Sequence, residues 1–272
     1  MKIPERKPKI AIHHEEGSFS HRWIEYCKDN GIDYKLVDCY STSIISDLTD
    51  VDALLFNWWH HNTKARLFMH QLTLSLEMKG ILVFPSSRTA WHYDDKVGQK
   101  YLLEAIDAPV IKTYSFYEKE AALEWLKKTS YPKVFKLRGG AGSNNVKLVP
   151  DISSATSLVN KAFSSGFPYV NKVGILSDRL DELKRNKSLS SFIGVIRALG
   201  RQVISTEQDK AMGREIGYVY FQDYIDGNDS DIRVIVVGKR AVAIKRYTRE
   251  NDFRASGSGI ISYDVKEIDP SV

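Results

Sequence analysis

Four short apolar runs, KIAIHH (9–14), DYKLVD (33–38), VDALLFNW (51–58) and ILVFP (81–85), punctuate the first 90 residues, with helix-like segments between them. Strands alternating with helices predict right-handed βαβ crossovers and therefore a parallel sheet. VDALLFNW is continuously apolar, as a strand buried on both faces requires. Trp23, Ile24, Tyr26 and Cys27 give an apolar face to a helix over 20–30, with Ser18 or Ser20 as its cap and Asn30-Gly31 as its stop. A further helix is expected over 63–79, ending at Gly80. Residues 1–90 thus read as a small Rossmann-like α/β layer. Its first turn, HHEEGSFS, holds one glycine and no G-x-G-x-x-G, which argues against a dinucleotide site there. His13, His14, Glu15 and Glu16 fall where open α/β sheets bind ligands, but the expectation for so charged a turn is a solvated loop. Trp58, Trp59, His60 and His61 are expected to form an aromatic edge of the core, with a substrate-pocket role as the alternative.

The pattern changes near residue 91. Helices are expected over 94–106, with Asp94 or Asp95 at its start, and over 118–128. Strands are expected at 110–116, 132–138, 144–149, 217–225, 231–238 and 240–248, the last two joined by a tight hairpin at Gly238-Lys239. These favour antiparallel pairing, so residues 91–272 read as an α+β domain. A polar stretch over about 175–213 contains DRLDELKRNKS and FIGVIRALG, both helical by composition, and reads as an insertion covering or flanking a site.

The chain has 272 residues, 43% hydrophobic and 27% charged, which excludes collagen, coiled coil and wholesale disorder. No apolar run approaches the roughly 18 residues of a membrane span, and MKIPERKPKI lacks the apolar core of a secretory signal. Cys27 and Cys39 have no metal or redox spacing, which reads as two free thiols in a reducing cytoplasm. The net charge of +5 suits an anionic ligand such as a nucleotide. It also permits weak nucleic-acid contact, but the charges are spread along the chain rather than clustered.

Four segments carry candidate chemistry. VFKLRGGAGSNNVKLV (134–149) places Lys136 before a glycine-rich hairpin loop whose N–H groups can approach phosphates, although it is not a P-loop. DDKVGQKYLLEAIDAP (94–109) puts Lys96 at a helix start, where the macrodipole disfavours a cation unless an anion holds it. In YFQDYIDGNDSDIRVIVVG (220–238), the peptide edge of Gln222, Asp223, Tyr224 and Ile225 could pair with an adenine edge. Asp231 there could accept from ribose hydroxyls, and Arg233 shares its face. IKRYTRENDFRASGSG (244–259) clusters Lys245, Arg246, Arg249 and Arg254, and guanidiniums so grouped suit a phosphoryl group in transfer. The competing readings are a flexible hairpin, a surface lysine, an acidic turn and a basic loop.

In this order the segments resemble the ATP-grasp superfamily, in the branch similar to ribosomal-S6-modifying and glutathione-synthase-like carboxylate–amine ligases. The resemblance covers about 85–263, and the first layer fits the family's pre-ATP-grasp domain. Asp95-Lys96 resembles the family's first lysine, and VFKLRGGAGSNNV its strand lysine and phosphate loop. YFQDYI resembles the adenine hinge, with Asp223 in the usual Glu place. Asp231-Ile232-Arg233 resembles the Asp-x-Arg segment. DFRASGSG resembles Phe-Arg-x-Asn, with Ser256 in place of Asn.

The resemblance implies an ATP-grasp fold of two α+β subdomains and a ligase that activates a carboxylate as an acylphosphate for attack by an amine. It implies ATP bound by Lys96, Lys136, Gly139, Gly140, Gly142, Ser143, Gln222, Asp223, Tyr224, Ile225 and Asp231. Lys136 would neutralise phosphate and could also contact the adenine. Arg254, with Arg246, would stabilise the transferring phosphoryl group, and Mg²⁺ would bridge phosphate oxygens. The substrates implied are a small-molecule or peptide carboxylate and an amine, and a homo-oligomer is compatible. The family's metal carboxylates lie after the arginine motif. The chain reaches DVKEIDPSV soon after it, and Asp264, Glu267 and Asp269 do not resemble the metal pattern. The expectation is therefore an ATP-grasp fold truncated at the C-terminus, with metal ligands unassigned. The alternatives are a nucleotide-binding regulatory or scaffold protein without turnover, and a basic protein associated with nucleic acid.

Overall fold

A computed structural model describes residues 7–59, 62–139, 145–169, 171–185, 187–203, 211–249 and 252–269. The architecture is mixed α/β and α+β. The described residues form two compact units, one within 1–99 and one within 100–205 and 213–272.

In the first unit, β1 (Ile10–His13), β2 (Tyr34–Val37), β3 (Ala53–Phe56) and β4 (Leu82–Phe84) form a parallel sheet ordered β2-β1-β3-β4. Helices α1 (Ser20–Asp29), the short α2 (Ile44–Asp47), α3 (Thr63–Met78) and α4 (Ser87–Ala90) connect or follow the strands. The parallel pairing is what the alternating pattern predicts, and α2 is an addition to it. The core joins Leu54 and Phe56 of β3 to Met69 and Leu76 of α3, all fully buried. Asn62 caps α3 by accepting from the Ala65 N–H at 3.2 Å.

Two expectations are met only in part in this unit. The residue at the cap position of α1 is Phe19, without a side-chain bond. Ser20 is already helical, but Ser18 Oγ accepts from the Ser20 N–H at 3.1 Å, and the two hydroxyls bond each other at 2.6 Å. The charged first turn is not wholly solvated either. His13 ends the inner strand β1 and is 5% exposed, edge-on to Tyr40 and Phe56 with ring centroids 4.9 Å from each. Its Nδ1 accepts from the Cys39 N–H at 3.1 Å, and burial lowers its pKa, favouring the neutral ring. Strand β1 runs further into the core than its charged neighbours suggest. Trp58 does form an aromatic core edge, 4.4 Å from Tyr93 between centroids, while His60 and His61 lie outside the described residues.

Helix α5 (Lys96–Ala105) carries the chain from the first unit to the second. In the second unit, β5 (Thr113–Phe116), β6 (Lys133–Lys136), β7 (Val146–Val149) and β10 (Val219–Asp223) form an antiparallel sheet ordered β5-β10-β6-β7. Helices α6 (Lys119–Leu126) and α7 (Ile152–Ala162) cover one face. Ala122, Leu126, Ala155 and Val159 meet Phe135, Val149, Val219 and Phe221 there. The sequence reading leaves α7 unassigned, yet it has a local signature. Asp151 accepts from the Ser154 N–H at 2.8 Å, and Ala155, Val159 and Ala162 recur at helical spacing.

Two short strands, β8 (Phe167–Pro168) and β9 (Arg214–Glu215), pair antiparallel. Between them, α8 (Lys172–Arg185) and α9 (Leu189–Val203) pack on each other in the stretch expected to be helical. A second sheet, β11-β12-β13, contains β11 (Ser230–Val237), β12 (Arg240–Tyr247) and β13 (Ile261–Ser262). The β11–β12 turn is the expected two-residue hairpin, and Gly238 takes the positive φ (60°) that such turns require.

Both cysteines are free and buried in the first unit. Burial raises the Cys27 thiol and pushes Cys39 up to about 12. At pH 8 the Cys39 thiolate is then on the order of one part in ten thousand. Cys39 is expected to resist Ellman's reagent in the native protein and to react at once in guanidinium chloride, as thiol titration at 412 nm would show.

Candidate functional site

A cleft of about 290 Å³ opens in the second unit, between the face of the β5-β10-β6-β7 sheet turned away from α6 and α7 and the segment around Phe253. Side-chain alternation along β6 sets its floor. Val134 and Lys136 line the cleft, while Phe135 points into the core. The Lys136 Nζ donates to Gln222 Oε1, and Gln222 Nε2 donates to Thr113 Oγ1 at 3.2 Å. A bridge across three adjacent strands therefore orients this ammonium.

The neighbouring residue is disposed of differently. The Asp223 carboxylate pairs with Lys133 at 2.6 Å, on the opposite parity of both strands. Lys133 is 4% exposed, donates to Ser130 Oγ at 3.3 Å and lies 5.7 Å over the Tyr114 ring. The Asp223 N–H is bonded to Lys112 O at 3.0 Å. Among the described residues, the peptide groups of Tyr224 and Ile225 have no partner, and both residues line the cleft. A planar ligand edge can pair with such a free peptide edge, between the apolar side chains of Ile111, Val134, Val146 and Phe253. Phe253 and Tyr224 meet edge-on at 6.1 Å across the rim.

The arginines are pinned by aspartates. Asp231 lines the cleft, and both its oxygens accept from Arg246, at 2.7 Å from Nε and 2.8 Å from Nη2. They are cross-strand partners in the β11–β12 ladder, and Arg246 stands behind Asp231 rather than among the lining residues. Arg254 lines the cleft itself and is held by Asp252 through Nε at 2.9 Å and Nη2 at 2.8 Å. Burial alone would raise the Asp252 pKa, but the bonds from Arg254 outweigh it and leave the carboxyl below its ordinary value. Arg249 lies 3.8 Å from the same Asp252 carboxylate and also donates to the Gly257 carbonyl, bracing the glycine turn.

The structure thus gathers Lys136, Gln222, Asp223, Tyr224, Ile225, Asp231 and Arg254 around one cleft. Lys96 belongs to the first unit, where Asp95 Oδ1 accepts from the Gly98 N–H at 2.9 Å at the start of α5. Gly140, Gly142 and Ser143 lie outside the described residues. Gly139 is described, and a Cβ on it would come within 2.5 Å of the buried Tyr169 ring. The sequence reading missed the supports of this loop. Tyr218 accepts from the Arg138 N–H at 2.6 Å and donates to Glu215 at 2.7 Å, while Asn145 donates to the Tyr169 carbonyl at 2.9 Å. It also missed Lys133, whose only cue was a lysine three residues before Lys136, on the opposite strand face.

Residues 186–261 match a family model described as the RimK-like ATP-grasp domain. The matched segment contains Tyr224, Asp231, Arg233 and Arg254 but neither Lys96 nor Lys136. No curated protein matches the chain significantly. Among solved structures, a RimK domain ATP-grasp protein from Sphaerobacter thermophilus is 18% identical, with a TM-score of 0.49 over 86% of this chain and 70% of that one. N5-carboxyaminoimidazole ribonucleotide synthetase from Thermotoga maritima is 15% identical, with a TM-score of 0.49 over 88% and 54%. Phosphoribosylamine–glycine ligase from the same organism is 14% identical, with a TM-score of 0.46 over 89% and 51%. The chain spans about half the length of these two Thermotoga proteins.

Two substitutions test the site's construction. Asp223→Ala strands the buried Lys133 ammonium and is expected to lower stability by on the order of 3 kcal/mol in urea denaturation. Combining it with Lys133→Met should recover most of that loss, and a double variant as unstable as the single one would contradict the pairing. Gly139→Ala forces the Tyr169 ring aside and is expected to cost about 1–3 kcal/mol. Tyr169→Leu in the same chain should relieve part of it, read from the same denaturation midpoints.

Proposed function

We propose that the protein is an ATP-dependent ligase that activates a carboxylate as an acylphosphate and joins it to an amine. The observation that carries this reading is the convergence of Lys136, fixed through Gln222 and Thr113, and Arg254, fixed by Asp252, on one apolar-walled cleft. ATP supplies the phosphoryl group when bound. Ile111, Val134, Val146 and Phe253 would sandwich its base, and the free peptide groups of Tyr224 and Ile225 would pair with the base edge.

Lys136 would neutralise phosphate charge. Arg254, backed by the Asp231–Arg246 pair, would face the transferring group and the carboxylate oxygens. No side chain here is asked to act as a nucleophile. The residues lower the barrier by positioning and by placing fixed positive charge where negative charge accumulates. Gly139, just after β6, would leave its backbone open to phosphate in this reading. The acid is a small molecule or peptide and the acceptor an amine.

The described residues do not fit magnesium. Among them, no three His, Cys, Asp or Glu side chains are grouped to hold a metal. The carboxylates nearest the cleft, Asp223, Asp231 and Asp252, are each engaged by a cationic side chain. No step is therefore derived through that ion. This engagement favours one second reading, a nucleotide-binding protein without turnover.

The first test is titration calorimetry with ATP and Mg²⁺, followed by ADP release in a screen of carboxylate and amine pairs. Binding with turnover supports the ligase, binding without turnover supports the second reading, and absence of binding removes both. Lys136→Ala should keep the native circular dichroism spectrum and lose about 1.5–3 kcal/mol of ATP affinity, roughly 10- to 150-fold. Unchanged affinity would show that Lys136 does not meet phosphate.

A further inference from the structure

Strand β6 is the wall of two cavities. Its even-numbered residues face the cleft. Its odd-numbered Phe135, with Leu137 just beyond the strand, faces a second cavity of about 400 Å³ on the helix-covered side. The two share no described lining residue. We infer that this rear cavity binds an amphipathic organic carboxylate, with its apolar body on Phe135, Leu137 and Phe167 and its anionic head at Lys147 and Lys161.

The charge argument comes first. Lys147 and Lys161 are the charged residues among the described lining, and no aspartate or glutamate accompanies them. In the front cleft the lining lysine, Lys136, is matched by a local acceptor, Gln222. Two ammonium groups bordering one concavity, with no carboxylate among its described lining residues, attract an anion, and both remain exposed, so binding need not strip them of all their water. Lys161 already lies along the cavity, its Nζ 4.9 Å over the Phe167 ring.

The body of the ligand follows from the floor. Phe135 and Phe167 present rings 5.3 Å apart and tilted by 47°, beside Leu137. The side-chain amides in the wall are engaged by the chain itself. Asn145 Nδ2 donates to the Tyr169 carbonyl, and Asn171 Oδ1 accepts from the Gly174 N–H at 3.0 Å. Selection therefore rests on charge and apolar shape rather than on a pattern of hydrogen bonds. The volume is within the roughly 300–1,000 Å³ of small-molecule sites. None of this depends on whether the front cleft binds ATP.

The test uses the ¹⁵N-labelled full chain titrated with 3-phenylpropionate and, separately, with its neutral amide, 3-phenylpropionamide. The acid is expected to give saturable shifts at the amides of Leu137, Phe167 and Ser177, with the neutral compound at least tenfold weaker. The double variant Lys147→Ala, Lys161→Ala should bind the acid at least tenfold more weakly while keeping the native fingerprint. The inference is overturned if the acid gives no saturable shift there, if acid and amide bind alike, or if the double variant binds the acid unchanged. Should the double variant fail to fold, the acid–amide comparison alone decides.

Discussion

Period-two alternation on β6 decides much of the second unit. A strand that reads Lys-Val-Phe-Lys must send its two lysines to opposite faces. One of them, Lys133, is driven into the helix-covered side, where an unpaired ammonium would be costly. The adjacent strand answers with consecutive residues of opposite parity. Asp223 neutralises Lys133 inside, and Gln222 steadies Lys136 outside. One ladder thus satisfies a buried charge and presents another to the cleft, and the register of β10 on β6 fixes both at once.

The second sheet contributes charge by a different device. Arg246 on β12 and Arg254 in the segment after it are each gripped by an aspartate through two nitrogens, a geometry that fixes the plane of the arginine as well as its position. Arg246 stiffens Asp231 from behind, and Asp252 aims Arg254. Such pairing reduces the net field but removes rotamer freedom, so the charge that remains need not be reorganised when a polyanion arrives.

The sequence made the architecture legible where period and punctuation agree. The parallel strands of the first unit, the hairpin at Gly238-Lys239 and the extents of α1 and α3 follow from apolar spacing and turn residues. What escaped was non-local. KIAIHH reads as a buried strand and HHEEGSFS as a solvated turn, and His13, which belongs to both, goes with the strand. Of the two serines that look like caps, Ser18 accepts from the first helical N–H, while Ser20 lies inside the helix, a one-residue distinction that cannot be seen in one dimension. In the cleft, the residue types were readable but their partners were not. Asp223 resembles a ligand-facing acid until Lys133, ninety residues away in the chain, claims its carboxylate. Tyr218 and Tyr169 carry no motif, yet they brace the loop that follows Lys136.

The composition of the cleft wall has one more consequence. None of its described residues is a histidine or a cysteine, the types whose protonation ordinarily changes around neutrality. The clamp on Arg254 is tied to a carboxyl held below its usual value, so it loosens only as the solution becomes strongly acidic. The described part of the wall therefore carries no group of the kind that responds to modest acidification. Any such sensitivity belongs to the groups the molecule receives there, or to residues outside that described lining.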